Sequence, residues 1–442
     1  MLVRIRAWWE GFRSNLFFIP LIYLIVAAAV AQALLEVDTR IIQEGLDIPL
    51  IFRSTVDSAR AVLSTVATAT ITVAGIAFSI SLLLFQLASN PFSPRVLHGF
   101  FRDSFTKHVL GLVVGTFTYC LLVLRAVRGA VETDGTPIIP NLSVALGLVL
   151  GIASILAIVA FINHTAHSMH ATEIIARITD ETRHQIRRLA EDPDESDGRD
   201  PDPEDAPQAP DDAFVITARA DGWVQQVDDR GLLDAADDGG TVRLETYIGD
   251  FVPKGAPLCS IWPEPSNPEH AEREAREAVR LGRSRTLQQD LGFGIRQLVD
   301  IALRALSSGI NDPTTANEVV SHLGGVIWDL LVRDLPRNRL EDDRGRRVFR
   351  PHELSHDRFV ALAFRQIRVA GADQPAVVQH LLDVLGPLAR MVEEAGYPSR
   401  SEMVRRQARL AIEGAAAAGI LDADLSELRE RARSHGLGLG VA

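Results

Sequence analysis

The chain has 442 residues, enough for two or three domains, and a formal net charge of −12 at pH 7. Most of that charge lies in residues 191–212, so the rest of the chain is nearly neutral and carries no basic footprint for nucleic acid. The two cysteines, Cys120 and Cys259, are too few for a disulfide framework.

Long apolar segments are confined to the first 165 residues. A helix needs about 20 apolar residues to cross the hydrocarbon core of a bilayer. Four uncharged segments fit this length: Leu16–Leu35, Ala61–Ala88, Val109–Leu124 and Ile138–Ile162. The sequence therefore predicts an α-helical membrane protein with four transmembrane helices in residues 1–170 and the lipid bilayer as its partner.

Basic residues are distributed unequally between the segments that flank these spans. Three clusters fall on one side: Arg4, Arg6 and Arg13; then Arg95, Arg102 and Lys107; then Arg177, Arg183, Arg187 and Arg188. Because basic loops stay in the cytoplasm, this bias predicts a multi-pass protein of the bacterial inner membrane. Both termini and the soluble part are expected in the cytoplasm.

The second span carries small and weakly polar residues on one face. These residues, which we call the polar stripe, are Thr65, Thr68, Thr72, Gly75, Ser79 and Gln86, and Ala61 precedes them at the same spacing. Small residues of this kind allow close helix packing, but hydroxyls can also line a pore. Both interpretations stay open. Gly111 with Gly115, and Gly147 with Gly151, predict tight helix packing.

Two features mark the cytoplasmic membrane edge. Arg95 follows Pro91 and Pro94 after the second span, and it suits either a lipid-phosphate anchor or an elbow that contacts the soluble part. His164 and His167 can share one face of the fourth span, with His170 off that face. They suit an interfacial or capping role, a pH-sensitive role, or a metal site that would need a further ligand such as Glu173.

The remaining chain predicts a cytosolic α+β part. Residues 171–190 predict a helical extension, and the acidic, proline-containing residues 191–212 a disordered linker. Residues 213–262 read as a small β module. There, "GWVQQV" and "IGDFVPKGAPLCSI" resemble the barrel-sandwich pattern of biotinyl and lipoyl domains, although Lys254 does not stand at their carrier position.

Residues 269–442 predict a helical domain, with a polar loop at 337–350. Its helices are expected within "PEHAEREAREAVRLG", within "QDLGFGIRQLVDIALRAL", and at Pro313–Leu335, His356–Val369, Pro375–Ala395, Arg400–Ala418 and Asp422–His435. Gly292 and Gly294 begin a helix with no preceding strand, so they do not form a dinucleotide-binding fingerprint.

The junction "SSGINDPTT" lies between two of these helices. Gly309 suits a left-handed turn after one helix, Asn311 or Asp312 can cap the next helix, and Pro313 suits its first position. A plain turn explains most of these residues. The alternative is a ligand or interface site made by Ser308, Gly309, Asn311, Asp312, Thr314 and Thr315.

"GFGIRQLVDIALRALSSGINDPTTA", "LFQLASNPFSPRVL", "FINHTAHSM" and four spans together resemble the bacterial predicted-membrane-protein family called domain of unknown function 2254. The resemblance covers nearly the whole chain and implies an inner-membrane location, without an activity. The family pattern usually has proline where Ser308 stands; Gly309, Asn311, Asp312 and Pro313 fit it.

These patterns favour an oligomeric channel or permeation protein gated by its cytosolic domain. The alternative is a membrane-anchored sensor or scaffold whose cytosolic domain binds a ligand or protein partner. No catalytic pair, metal site or cofactor is predicted, and an enzyme is the least favoured class. A homo-oligomer is expected as part of the channel hypothesis.

Overall fold

The computed structural model describes residues 18–44, 54–89, 104–128, 139–168, 170–189, 207–336, 338–351 and 355–437. The chain divides into two compact units, which we call the amino-terminal unit (Met1–His170) and the carboxyl-terminal unit (Ala171–Ala442). Arg95 and most of the acidic linker lie outside the described residues.

The described part of the amino-terminal unit is built from four long helices. They are α1 (Phe18–Glu44), α2 (Val56–Ser89), α3 (Ser104–Ala126) and α4 (Asn141–Ser168). Each is long and apolar enough to cross a membrane. The four predicted spans are therefore confirmed as apolar helices.

Glycine pairs let these helices approach closely. A Cβ atom placed on Gly111 of α3 would lie 2.7 Å from the ring of Tyr23 in α1. On α4, a Cβ at Gly147 would meet Leu63, and one at Gly151 would lie 2.8 Å from Val66, both in α2. Because such distances exclude a side chain, the glycines hold the bundle together by close packing, as predicted.

Asp38, near the carboxyl end of α1, caps the amino end of α4. Its carboxylate is buried and accepts hydrogen bonds from the backbone N–H of Leu142 at 3.0 Å and of Ser143 at 2.9 Å. The Ser143 hydroxyl donates to the same carboxylate at 2.6 Å. These bonds satisfy N–H groups that a helix leaves free at its first turn.

The carboxyl-terminal unit begins with α5 (Ala171–Leu189), which confirms the predicted helix. Its buried residues recur at helical spacing: Ile174, Ile175, Ile178, Thr179, Thr182 and Ile186. They contact two later helices, α8 (Leu291–Ala305) and α9 (Pro313–Leu331). The helix is therefore an integral layer of this unit.

The described residues of the carboxyl-terminal unit form eight strands in two sheets. They are β1 (Phe214–Thr217), β2 (Gly222–Val227), β3 (Thr241–Leu244), β4 (Phe251–Val252), β5 (Pro257–Trp262), β6 (Val279–Gly282), β7 (Arg339–Glu341) and β8 (Arg347–Phe349). One sheet has the order β1-β5-β3-β8-β7 and the other β4-β2-β6. Helices α6 (Asp229–Asp234) and α7 (Pro268–Ala278) share the core of these sheets. A small β module is confirmed; the barrel-sandwich detail is not.

The predicted loop at residues 337–350 is wrong, because this segment is the hairpin β7–β8. Val348 is buried and pairs with Val242 of β3 in parallel. Asp342 accepts hydrogen bonds from the N–H groups of Arg344 and Arg346, and Gly345 takes a φ of 71° in the turn. In this segment the charged residues outnumber the buried ones. The alternating pattern of a strand is therefore not apparent in the sequence.

The predicted charged helix after Pro268 is also shorter than expected. Helix α7 ends at Ala278, and the next four residues form β6, which pairs with β2. Val279 is buried in the β core, so sheet pairing replaces the continuation of a helix.

The helical predictions downstream are confirmed. Besides α8 and α9, the described helices are α10 (His356–Ala370), α11 (Pro375–Glu394), α12 (Pro398–Ala417) and α13 (Asp422–Ser434). Their boundaries follow the sequence signals, with Ser355 capping α10 and proline in the first turn of α11 and α12.

Candidate functional site

The polar stripe on α2 faces away from the helices of its own unit. Thr65, Thr68, Thr72, Gly75 and Ser79 are all exposed. A Cβ atom at Gly75 would meet no described atom within 4 Å. Of Gln86 only the helical backbone is described. The stripe is thus not a packing face within one chain, whereas the glycine pairs of α3 and α4 are.

Hydroxyls of the stripe bond to their own helix. Thr72 donates to the carbonyl of Thr68 at 2.7 Å, and Ser79 donates to that of Gly75 at 2.9 Å. Each hydroxyl oxygen can still accept a hydrogen bond. The stripe therefore tolerates an apolar neighbour and can also face water or a polar solute.

The stripe borders a shallow groove that differs from the other outer faces of the bundle. The groove is lined by Ser64, Thr65, Thr68, Ala69, Thr72 and Val73. On α4, by contrast, the exposed residues are large and apolar, such as Leu156 at 64% exposure and Val159 at 61%. Small side chains therefore leave room for another molecule at this groove, although α2 also exposes the larger Ile71 and Phe78.

Among the membrane-edge histidines whose side chains the structure describes, no metal site is formed. The ring of His164 packs 4.7 Å from that of Phe105, and Tyr23 bonds to Nδ1 of His108 at 3.2 Å. The side chain of His167 lies outside the described residues. Within the described parts of the chain, no three His, Cys, Asp or Glu residues could hold a metal ion.

The junction between α8 and α9 is an exposed turn. Ser308, Gly309 and Asn311 are exposed, and Ile310 is partly so. The prediction that Gly309 has a left-handed backbone conformation is wrong. Asn311 takes that conformation instead, with a φ of 49°. Asparagine tolerates this backbone better than other non-glycine residues, so the turn closes two residues later than expected.

Asp312 caps α9, as its sequence position predicts. Its carboxylate accepts hydrogen bonds from the Thr315 hydroxyl at 2.6 Å and from the Thr315 N–H at 3.1 Å. These bonds hold the pKa of Asp312 below its ordinary range. Thr314 is exposed beside the cap. Because the carboxylate occupies the amino end of α9, a bound anion would meet a negative charge there.

The contacts that hold α5 were not predicted from the sequence. We use the name α5 socket for helices α8 and α9 together with the residues on them that contact α5, namely Gly294, Glu318, His322 and Asp329. Arg183 of α5 forms a two-point ion pair with Asp329 of α9, Nε–Oδ2 at 2.7 Å and Nη2–Oδ1 at 3.2 Å. Asp329 is buried, and its hydrogen bond raises the pKa of Arg183. A bidentate pair with a buried carboxylate fixes the rotation of α5 in the socket.

Gly294 of α8 lets α5 approach. A Cβ atom at this position would clash with the hydroxyl and Cβ of Thr182. Three further polar contacts lie along α5, namely Thr179 with His322 at 3.0 Å, Thr172 with Glu318 at 3.3 Å, and Arg188 with the Gln288 carbonyl at 2.9 Å. The motif from "GFG" to "NDPTTANE" therefore supplies Gly294 and Glu318 of the socket, and the following turns of α9 supply His322 and Asp329.

A second buried pair links the β module to α8. Arg285 contacts Asp290 at 2.7 Å, and Asp290 caps α8 by accepting from the Phe293 N–H at 2.9 Å. The guanidinium lies over the rings of Trp223 and Phe293. Burial raises the pKa of Asp290 above its ordinary value, and the charge of Arg285 partly offsets this effect.

Four apolar helices followed by a mixed α and β unit define a polytopic membrane protein. The chain belongs to the family described as Predicted membrane protein (DUF2254), whose model matches residues 13–386. This confirms the resemblance found in the motifs. The family description supplies a membrane location and no activity.

Two mycobacterial relatives match most of the chain. Uncharacterized proteins of Mycobacterium tuberculosis and Mycobacterium bovis are each 36% identical over 372 residues, which cover 83% of this chain and 70% of the relative. An AMP phosphorylase of Pyrococcus furiosus is 37% identical over 91 residues, only 19% of this chain and 16% of that protein. No solved structure matches the chain significantly.

Proposed function

We propose that this membrane protein is a homo-oligomeric channel or permeation protein in which the polar stripe of α2 lines the path. The observation that carries this proposal is the exposure of Thr65, Thr68, Thr72 and Ser79 on the outside of a four-helix bundle. Hydroxyl groups make no favourable contact with lipid tails. In a ring of α2 helices the same hydroxyls would surround a common axis.

The chemistry of the stripe defines what such a path would pass. Charged side chains at mid-membrane mark proton relays and ion-coupled sites. In the described spans the buried charged residues, Asp38 and Lys107, stand near helix ends. Hydroxyls without fixed charge favour small ions or polar solutes with weak selectivity between cations and anions.

Control by the carboxyl-terminal unit is proposed to pass through α5. This helix follows α4 in the chain after residues 169 and 170, and the α5 socket holds it by the Arg183–Asp329 pair and the Gly294 contact. A change in α8 or α9 would therefore pull on the chain where it leaves the last span. The basic loops favour a cytoplasmic position for this unit and both termini.

Flux measurements test the proposal. Purified protein in liposomes is expected to admit thallium and iodide, each read by quenching of an encapsulated dye. The triple change Thr68→Leu, Thr72→Leu and Ser79→Leu is expected to lower the flux at least about tenfold, because apolar side chains fill the path. The matched control exchanges Leu148→Ile, Val149→Leu and Leu156→Ile on the apolar face of α4. Absence of flux, or equal flux from both variants, contradicts the proposal.

A sensor or scaffold is the second candidate, and the exposed junction favours it. Ile310 and Asn311 project at the tip between α8 and α9, where no described helix covers them. Such a tip suits contact with a protein partner. This function predicts that a photo-reactive residue at position 310 captures one defined partner, that one at exposed Leu421 does not, and that the reconstituted protein shows no flux.

A further inference from the structure

Strand β7 forms one edge of the five-stranded sheet, and its outer side pairs with no strand in the part of the chain that the structure describes. Its three residues, Arg339, Leu340 and Glu341, are all exposed. The opposite edge of this sheet, β1, is partly closed, because Arg276 of α7 donates a hydrogen bond to the carbonyl of Thr217 at 3.0 Å. The open side of β7, which we call the β7 edge, therefore offers unpaired backbone groups to another strand.

The hydrogen bonds inside the β7–β8 hairpin define which backbone groups face the β7 edge. Asn338 and Asp342, the second residues before and after Leu340, both bond across the hairpin, through the Asn338 carbonyl at 2.7 Å and the Asp342 N–H at 3.1 Å. In an antiparallel pair, the residues that bond to the neighbouring strand alternate along the chain. Leu340 therefore bonds to β8, whereas the N–H and C=O groups of Arg339 and Glu341 point outward.

The charges on the β7 edge are self-complementary. Side chains alternate along a strand, so Arg339 and Glu341 lie on one face of the sheet and Leu340 on the other. When two copies pair antiparallel with Leu340 opposite Leu340, each Arg339 lies opposite a Glu341 of the other copy. A parallel pair in the same register puts like charges opposite each other, which is destabilising. The charge pattern thus selects a two-fold, antiparallel contact between identical chains.

Strand β8 extends this charge pattern. Arg347 of β8 lies opposite Glu341, with 3.8 Å between Nε and Oε1, and the guanidinium of Arg339 lies 5.5 Å from the ring of Phe349. Within one chain, Arg339 also contacts Glu341 at 2.7 Å. Across two paired copies each row reads Arg347, Glu341, Arg339 and Phe349. Every charge in the row then has a neighbour of opposite sign or an aromatic ring.

We propose that the β7 edge joins two copies of this chain as an antiparallel strand pair, which continues the sheet across a two-fold axis beside Leu340. The outward backbone groups of Arg339 and Glu341 supply its hydrogen bonds, and their side chains set the register. The contact also covers Leu340, which is 41% exposed. Charges on an edge strand oppose pairing with most other chains, so the contact is selective for a second copy. It depends neither on the polar stripe of α2 nor on any flux.

Disulfide trapping in the full-length protein tests this contact. Both native cysteines are buried, so an introduced cysteine reacts selectively. In the proposed pair the two copies of residue 340 face each other without a direct backbone bond, at about 4.5 Å between Cα atoms, which lies within disulfide range. Leu340→Cys, reconstituted in liposomes at low density, is therefore expected to form a linked dimer on mild oxidation. Val215→Cys, at a residue 50% exposed on β1, is the matched control and should form several-fold less.

Charge exchange tests the register. In the Leu340→Cys protein, Arg339→Glu alone and Glu341→Arg alone each place like charges opposite each other, and each should lower cross-linking at least about fivefold. Mixing these two variants, distinguished by tags of different size, should restore cross-linking as a heterodimer, because opposite charges then face each other again. The double exchange Arg339→Glu with Glu341→Arg should restore the homodimer for the same reason.

Three results would overturn the proposal: equal cross-linking at positions 340 and 215, no loss in either single variant, or a mixture that fails to restore the dimer. Thermal unfolding of each variant shows whether a loss of fold contributes. The mixture controls for such a loss, since it contains only chains that carry the changes, and recovery there requires contact between copies. Oligomers formed only through α2 would not respond to these charges.

Discussion

Single side chains decide how the carboxyl-terminal unit is joined together. Arg285 and Asp290 lie 2.7 Å apart, largely buried, between the β module and the first turn of α8. Removing one partner of such a pair leaves an uncompensated charge, which costs more than the pair contributes. This contact therefore sets a large share of the stability of the unit.

Arg285→Met is expected to lower the free energy of unfolding by about 3 kcal/mol, because Asp290 then stays buried and ionised. Chemical denaturation measures this loss. Arg283→Met, an exposed neighbour, should change it by less than about 0.5 kcal/mol. Adding Asp290→Asn to Arg285→Met should restore much of the loss, since asparagine still caps a helix.

The same variant should depend on pH in a defined direction. The pKa of Asp290 is raised in the folded protein, and removing Arg285 raises it further. A carboxyl group whose pKa is higher in the folded than in the unfolded protein destabilises the fold at high pH. This destabilisation declines as the pH falls through the folded-state pKa, and it is gone below the unfolded-state pKa of about 4. The loss of free energy of unfolding caused by Arg285→Met should therefore become smaller as the pH falls toward about 4. A deficit that grows toward acid pH would contradict this account.

At the scale of elements, the sequence predicts the long helices well and the short strands poorly. Helices α8 to α13 carry apolar residues at helical spacing over 13 to 20 residues. Strands β6, β7 and β8 have three or four residues each and are rich in arginine. Strands β6 and β8 pair with β2 and β3, which are far away in the chain, and β7 joins the sheet only through β8. No local pattern reveals the distant partners.

The candidate sites differ in the same way: a feature with a local sequence pattern could be predicted, and one that depends on distant contacts could not. Thr65 to Ser79 could be found from spacing alone, because one helix face is a local property. The α5 socket could not, since Arg183 and Asp329 are 146 residues apart. The only local hint was Gly294, whose missing side chain the sequence analysis treated as a failed nucleotide fingerprint. The contact with Thr182 gives it a packing role.

Gly294→Ala is therefore expected to loosen α5 in its socket and to lower stability by about 1–3 kcal/mol, because the new methyl group overlaps Thr182. Thermal unfolding and hydrogen exchange in α5 measure this. Gly325→Ala in α9 is the control: a Cβ atom there meets nothing within 4 Å, so the helix should gain up to about 1 kcal/mol. Thr182→Ala should partly rescue Gly294→Ala; absence of rescue would refute this contact as the cause.

At the scale of the whole molecule, the proposed path requires several copies. A single amino-terminal unit leaves the polar stripe on its outside. Thr68→Cys and Thr72→Cys should therefore form disulfide-linked or bismaleimide-linked dimers in membranes. Leu156→Cys, at a residue that is also exposed but lies on α4, should not. Electrophoresis without reductant reads the outcome. Cross-linking at position 156 alone would place the contact on the wrong face.

The parallel pairing of β3 with β8 joins residues near 242 to residues near 348. During synthesis, β3 emerges from the ribosome well before its neighbour exists, while helices α8 and α9 are still being made. Until β8 has been synthesised, the backbone N–H and C=O groups along one edge of β3 are unpaired and can bond to a strand of another chain. A nascent chain that stops before Arg347 is therefore expected to aggregate or to recruit chaperones, whereas one released after Phe349 has closed that row.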